Sequence, residues 1–99
     1  MEDKQLTNSQ DLIRLVCDEI KHFLIDKNKA YGDSAINPIR IFAKSDAIEQ
    51  INVRIDDKIN RFLQGNKYPG DDDELDLIGY LILKRVAIKA AKNKEVEKE

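Results

Sequence analysis

Acidic side chains are the residues of this chain whose type and spacing best suit chemistry. Asp72, Asp73 and Asp76 lie at the start of its most apolar stretch, and Glu49 and Asp56 lie on one margin of an earlier helical stretch. Carboxylate oxygens are the ligands that Mg²⁺ prefers, and the ion keeps waters that a phosphate can replace. These five residues are therefore the predicted magnesium ligands.

The acidic run also has an interpretation as a helix start. Asp71 and Glu74 have the spacing of a capping box, and acidic side chains are favoured at a helix N-terminus. Asp76 lies further into the helix, on the face of Gly79 and Tyr80. Two alternatives stay open for it, a specific partner or none. The partner would be a metal or a basic side chain, with Arg54, Lys58 and Arg61 as candidates.

Segment 26–38 has the composition of a loop with a function. Lys27 and Lys29 offer cations for phosphate, Tyr31 offers a ring for stacking, and Ser34 and Asn37 offer hydrogen bonds. This set is suitable for holding a nucleotide. The alternative is a plain connector between helices in which Tyr31 fills the core.

The next helix carries charge on the side away from its apolar stripe. Arg54, Asp57, Lys58 and Arg61 share this side. It is either a solvated face with an Asp57–Arg61 pair at i, i+4, or a cationic surface turned toward a phosphate by a neighbouring loop or subunit.

Three substantial helices and one short helix position these groups. We expect a first helix from a cap at Thr7 or Ser9 to about Asp26. A short helix follows, capped by Asn37, from Pro38 to about Lys44, and Ser45 caps a helix to about Leu63. Gln64 to Gly70 connects it to the central helix, which starts at the acidic run. Residues 1–8 form a frayed lead-in and residues 92–99 a charged tail that frays.

Apolar spacing predicts which faces these helices bury. The stripe of the helix before the connection is regular, whereas the central helix is apolar almost all round and should be central or at a subunit interface. Cys17 should be a small buried or half-buried thiol and His22 a surface imidazole. The two stripes are Leu12, Ile13, Leu15, Val16, Ile20, Phe23 and Leu24 in the first helix, and Ile48, Ile51, Ile55, Ile59 and Phe62 in the third.

Composition limits the class of protein. The 99 residues make one domain, and 36% charged with 6% aromatic residues favours an all-α helical bundle. A formal net charge of -2 argues against binding duplex DNA. The single cysteine excludes an intramolecular disulfide and fits a reducing cytoplasm. No signal peptide and no apolar run of about 18 residues is present, so we expect a cytoplasmic protein without a membrane partner.

Three motifs in order resemble one known family. Lys29-Ala30-Tyr31-Gly32-Asp33-Ser34, then Arg54-x-x-Asp57-Lys58-x-x-Arg61, then Asp72-x-x-x-Asp76-Leu77-Ile78-Gly79-Tyr80, look like the nucleotide modification associated domain family found in many phage genomes. The similarity runs from about Asp26 to Leu83. That family looks related to the all-α nucleotide pyrophosphohydrolases of the MazG and dimeric dUTPase group, which bind magnesium through acidic side chains on two packed helices.

The resemblance implies a nucleotide site and, in phage, a location in the host cytoplasm. It also implies that the polar face of the third helix faces the nucleotide pocket and is not simply solvated. One departure bears on activity, because the first acidic pair of those enzymes has only Glu49 followed by Asn52 here, whereas Asp73-x-x-Asp76 matches the second. The implied nucleotide-site residues are Lys29, Tyr31, Asp33, Ser34, Arg54, Asp57, Lys58, Arg61, Asp72 and Asp76.

Three functions from different classes fit the sequence. The first is a phage-type enzyme that cleaves a nucleotide with magnesium, as a pyrophosphohydrolase, or assists nucleotide modification. The second is a non-catalytic binder that sequesters a nucleotide used in host defence signalling. The third is a helical protein-interaction module. A short chain with an apolar central helix also predicts a homo-oligomer.

Overall fold

Three α-helices make up the structure, a computed structural model that describes residues 8–65, 69–70 and 72–98, without the side chains of residues 96–98. Helix α1 spans Ser9–Ala30, α2 spans Ala47–Gln64 and α3 spans Asp73–Lys98. No strand occurs within these ranges. The prediction of an all-α fold is confirmed.

Each helix begins beside a side chain that accepts a hydrogen bond from the backbone three residues ahead, which satisfies an otherwise unpaired donor. The predicted caps Ser9 and Ser45 are each wrong by one residue, while Thr7 and Asp71 lie outside the described residues. The N–H groups of Asp11, Glu49 and Leu75 donate to the side chains of Asn8, Asp46 and Asp72, at 2.8, 2.8 and 2.9 Å.

Helix α1 is one turn longer than the sequence predicts, ending at Ala30 instead of about Asp26. The two lysines of the extra turn are good helix formers. The helix then closes with hydrogen bonds from Tyr31 N–H to the Lys27 carbonyl and from Asp33 N–H to the Asn28 carbonyl, both at 2.9 Å. Residue 32, which adopts a φ of +63°, is a glycine, and so the reversal is unstrained.

The predicted short helix from Pro38 to Lys44 is wrong, because this segment is irregular. Asn37 does not cap a helix and instead donates from Nδ2 to Asp33 at 2.6 Å. A helix of this length needs an apolar face packed on a core, yet the Phe42 side chain is 94% exposed. The Ser45 carbonyl at the end of the segment instead accepts hydrogen bonds from Arg40 at 2.8 Å and from Gln50 of α2 at 2.9 Å.

The prediction that the tail frays after Ala91 is also wrong, since α3 continues to Lys98. The lysine and glutamate residues that make up most of this stretch have high helix propensity, which favours continuation. No helix within the described ranges is long and apolar enough to cross a membrane.

The core lies between α2 and α3. Ile51, Ile55 and Ala87 are its buried hydrophobic residues, and half-buried side chains that include Leu77 and Leu83 pack on them. Helix α1 meets α3 at Gly79, where a Cβ atom would lie 2.9 Å from Leu24 Cδ2. The missing side chain at Gly79 therefore permits the close approach of α1.

The predicted stripes are only partly buried. In α2, Ile51 and Ile55 are buried as expected, while Ile59 and Phe62 are exposed. Helix α1 buries none of its residues, so its predicted buried stripe and a buried Cys17 are both wrong. His22 lies on the helix surface, as predicted. The sequence pattern identified the apolar faces, but packing within one chain covers only part of them.

Candidate functional site

A cavity of about 570 Å³ lies between the end of α1, segment 31–39, α2 and α3. One part of its wall is apolar, with Phe23, Leu75 and Tyr80 among the side chains. The other part offers cations, a carboxylate, amides and a hydroxyl. These polar residues are Lys27, Asn28, Ser34, Gln50, Arg54 and Asp76, and the Tyr31 ring joins them.

The last turns of α1 deliver three of the lining side chains. Phe23, Lys27 and Tyr31 are spaced four residues apart, which places them on one face of the helix and its end. The Lys27 ammonium lies 4.9 Å from the centre of the Phe23 ring and 3.9 Å from Asp76 Oδ1. The ring and the carboxylate thus hold the Lys27 charge at the wall of the cavity.

Asp33 fixes the turn that follows α1. Its carboxylate accepts hydrogen bonds from Asn28 Nδ2 at 2.8 Å and from Asn37 Nδ2 at 2.6 Å. The bond from Asn28, followed by the one from Asn37, lowers the pKa of Asp33 below its ordinary value. The residue also adopts a positive φ of 62°, which aspartate tolerates better than most side chains. Asp33 therefore holds in place the loop that carries Tyr31 and Ser34.

A charge cluster joins α2 to the start of α3. Lys58, only 15% exposed, has its Nζ atom 3.6 Å from Asp73 Oδ1 and 3.2 Å from Asp76 Oδ2. Arg61 lies 3.5 Å from the same Asp73 oxygen. We call this group, together with Lys27, the Lys58 cluster. In this cluster Lys27, Lys58 and Arg61 face the two carboxylates of α3, Asp73 and Asp76, and Lys27 and Asp76 also line the cavity.

Asp73 is the most buried member of the Lys58 cluster. Its side chain is 4% exposed, and Oδ1 accepts no hydrogen bond from the part of the chain that the structure describes. A buried carboxylate in this situation depends on nearby cations for its stability. Lys58 and Arg61 supply them, although both are too distant for a direct hydrogen bond.

The structure divides the predicted nucleotide residues into separate places. Tyr31, Ser34 and Arg54 line the cavity. Lys29 and Asp33 line a groove on the other side of the contact between α1 and α3. Three others are on α2, where Lys58 and Arg61 belong to the Lys58 cluster and Asp57 is exposed. The last two, Asp72 and Asp76, are at the start of α3.

The predicted magnesium residues are also spread out. Asp76 lines the cavity, and its partner among the alternatives left open is Lys58. Asp73 lies beside it, whereas Asp72 caps α3. Glu49 accepts a hydrogen bond from Asn52 Nδ2 at 2.9 Å, and Asp56 is exposed on α2.

The donor set does not fit Mg²⁺ in this arrangement. Within the described ranges, no three His, Cys, Asp or Glu side chains are grouped so that they could hold a metal ion. Asp73 and Asp76, the two predicted ligands that share one cation, both have the Lys58 ammonium within 3.6 Å. An ion bound there would have to displace this lysine or overcome its repulsion.

Sequence reasoning missed several lining residues. Lys27 was identified as a loop cation but not as a site residue, and Asn28 and Gln50 were not singled out. The signal that could have found two of them is the continuation of α1 to Ala30, because Lys27 and Asn28 then share helical faces with Tyr31. Gln50 carries no such signal, since its place in the wall depends on how α2 packs.

No family model, no curated protein and no solved structure matches this chain.

Proposed function

We propose that this chain binds a nucleotide, or a nucleotide-like phosphate-bearing small molecule, in the cavity. The observation that carries the proposal is that one cavity combines a stacking ring, two cations and several hydrogen-bonding groups. Tyr31 is the ring, and Arg54 and Lys27 are the cations. A volume of about 570 Å³ also lies in the range of small-molecule sites.

Each part of a nucleotide has a chemically matched group in the cavity wall. A base stacks on Tyr31, because any base offers a flat π surface. Phosphate binds Arg54, whose planar guanidinium can donate two parallel hydrogen bonds, and Lys27 adds a point charge. Asn28, Ser34 and Gln50 remain to contact the sugar or the edge of the base.

Binding without turnover is favoured over hydrolysis. Hydrolysis by the route that the family resemblance implies needs carboxylates free to hold magnesium. Asp73 and Asp76 are instead neutralised by lysine and arginine side chains. We therefore place sequestration of a nucleotide, including one used in host defence signalling, ahead of pyrophosphohydrolase activity. Magnesium remains a prediction, to be tested with the nucleotide.

The proposal is tested by offering the pure protein a pool of ribonucleotides, deoxyribonucleotides and cyclic oligonucleotides, with and without magnesium. Bound and free fractions are then separated and identified by mass spectrometry. We expect one nucleotide class to be retained unchanged, with or without the ion. Conversion to a monophosphate only when magnesium is present would support the hydrolase instead. A pool neither retained nor altered would contradict both and favour a protein partner.

A further inference from the structure

A second concave surface lies on the opposite side of the contact between α1 and α3 from the cavity. This groove has a volume of about 630 Å³. Leu24, Asn28 and Leu83 line both the groove and the cavity, so the two are separated by one layer of side chains. The groove is mainly apolar. Among its lining residues are Cys17, Ile20, Ile25, Ile78, Ile82 and Val86.

The apolar surface continues from the groove along α1 toward its N-terminus. Leu12, Ile13 and Val16 are all exposed there, and the 22 residues of α1 include none that is buried. On α3, Leu81, Ile82 and Val86 are exposed as well. Contiguous exposed apolar side chains on this scale mark a surface that another molecule covers.

The chain is more open than a compact monomer of its mass. It exposes 8107 Å², whereas a compact monomer of its 11.4 kDa mass exposes about 5800 Å². Its radius of gyration is 16.7 Å, compared with about 13 Å for a compact domain of this length. The excess area is on the scale of what one subunit buries in an obligate homodimer, about 1000 Å² or more.

The small core indicates which molecule covers the apolar surface, because that molecule must be bound whenever the chain is folded. Only three hydrophobic residues are buried among those described, and none of them completely. Such a core cannot offset the conformational entropy lost on folding, so the cover must be present whenever the chain is folded. A second copy is the one partner that always accompanies the chain. A two-fold interface also buries the same face on both copies.

We propose that the groove and the adjoining apolar stripe of α1 form a two-fold symmetric interface with a second copy of this chain. The interface packs α1 and α3 of one copy against the same helices of its partner. It thereby supplies the core that a single chain lacks and holds α1 against α3. This proposal concerns the groove alone and stands whether or not the cavity binds a nucleotide.

The mass of the protein in solution tests the proposal. Light scattering after size exclusion should give twice the 11.4 kDa chain mass for the wild type. Ile82→Glu, which places a charge in the groove, should halve that mass. Val53→Glu is the matched control, since Val53 is 57% exposed on α2 outside the groove, and it should stay dimeric. A wild type of 11.4 kDa at every concentration would overturn the proposal, as would dissociation by Val53→Glu but not by Ile82→Glu.

Thiol labelling gives a second test that uses only the wild type and needs no folded variant. Cys17 is the single cysteine of the chain and lines the groove. The dimer should cover it, so its reaction with a thiol reagent should be slow at high protein concentration and accelerate several-fold on dilution. The midpoint of unfolding should fall over the same dilution, because association stabilises the folded state by mass action. A labelling rate and an unfolding midpoint that are both independent of concentration would contradict the interface.

Discussion

At the scale of single residues, Lys58 lies within ion-pair distance of both acids of the Lys58 cluster. Replacing it with methionine keeps the apolar stem but removes the charge that faces Asp73 and Asp76. Loss of one partner from a buried ion pair costs about 3 kcal/mol or more, because the remaining charge stays desolvated. We therefore expect Lys58→Met to lower the free energy of unfolding by about 3 kcal/mol, measured by urea denaturation at neutral pH.

A matched control is Lys89→Met, since Lys89 is exposed on α3. This change should have little effect, as expected of a surface lysine. Adding Asp73→Leu to Lys58→Met should recover much of the loss, because an apolar pair of suitable size can replace a buried ion pair. Equal stability of Lys58→Met and Lys89→Met would show that the Lys58 cluster does not stabilise the fold.

Asp33 should make the stability of the fold depend on pH. Hydrogen bonds from Asn28 and Asn37 lower its pKa in the folded state. The charged form therefore stabilises the fold above the unfolded pKa of about 4, and the contribution is lost as the pH falls through the lower folded value. Asp33→Asn retains tolerance of the positive φ but removes the charge. The wild type should be more stable than this variant near pH 6, and the difference should shrink as the pH falls below about 4.

Thermal unfolding of the two proteins across this pH range measures the effect. A constant difference between them at all pH values would mean that the carboxylate charge of Asp33 is not what holds the turn.

At the level of single residues, the sequence predicted the partner of Asp76 among its candidates but placed two helix caps one residue away from their observed positions. Asp76 was correctly given basic side chains as candidate partners, and Lys58 is one of them. The caps at α1 and α2 were each placed one residue away from Asn8 and Asp46. Adjacent side chains of similar capping ability differ little in propensity. The direction from which the chain enters the helix decides between them, and tertiary structure sets that direction.

At the scale of elements, the contact of α1 with α3 depends on Gly79. Alanine there would gain up to about 1 kcal/mol of helix propensity, and its Cβ would need only the Leu24 methyl, 2.9 Å away, to turn aside. A leucine would add three further carbon atoms beyond a Cβ that already meets Leu24. We expect Gly79→Ala to leave stability nearly unchanged and Gly79→Leu to destabilise the fold by separating α1 from α3.

Chemical denaturation of both variants, alone and combined with Leu24→Ala, checks this contact. Removing the Leu24 side chain should partly rescue Gly79→Leu, because residues in direct contact are not additive. If the effects of the two substitutions on the free energy of unfolding simply add, α1 does not contact α3 through Leu24 and Gly79.

Helix existence and helix limits differed in how well they could be predicted. The three long helices follow from apolar periodicity. The short helix predicted from Pro38 failed because local spacing does not reveal whether a core is available to cover it, and here Phe42 and its neighbours face solvent. The extra turn of α1 was missed because the polar residues of segment 27–30 resemble a loop in composition although lysine and alanine favour helix.

At the scale of the whole molecule, the cavity could be predicted only in part. Tyr31 and Ser34 come from the segment after α1, and Arg54 and Asp76 come from α2 and α3. All four line the cavity. Their residue types were visible in the sequence. That they converge on one cavity depends on how α2 and α3 pack together. The same packing pairs Lys58 and Arg61 with the acids of α3, and no local sequence pattern encodes it.

The central claim is that the cavity binds a nucleotide, and one titration tests it most directly. The nucleotide retained from the pool is titrated calorimetrically into the wild type, Arg54→Gln and Arg85→Gln, since Arg85 is exposed on α3 outside the cavity. Losing a charge-assisted contact to phosphate costs about 1.5–3 kcal/mol, so Arg54→Gln should weaken binding by roughly tenfold or more. Arg85→Gln should bind as the wild type does. Equal affinity of all three proteins would contradict the account.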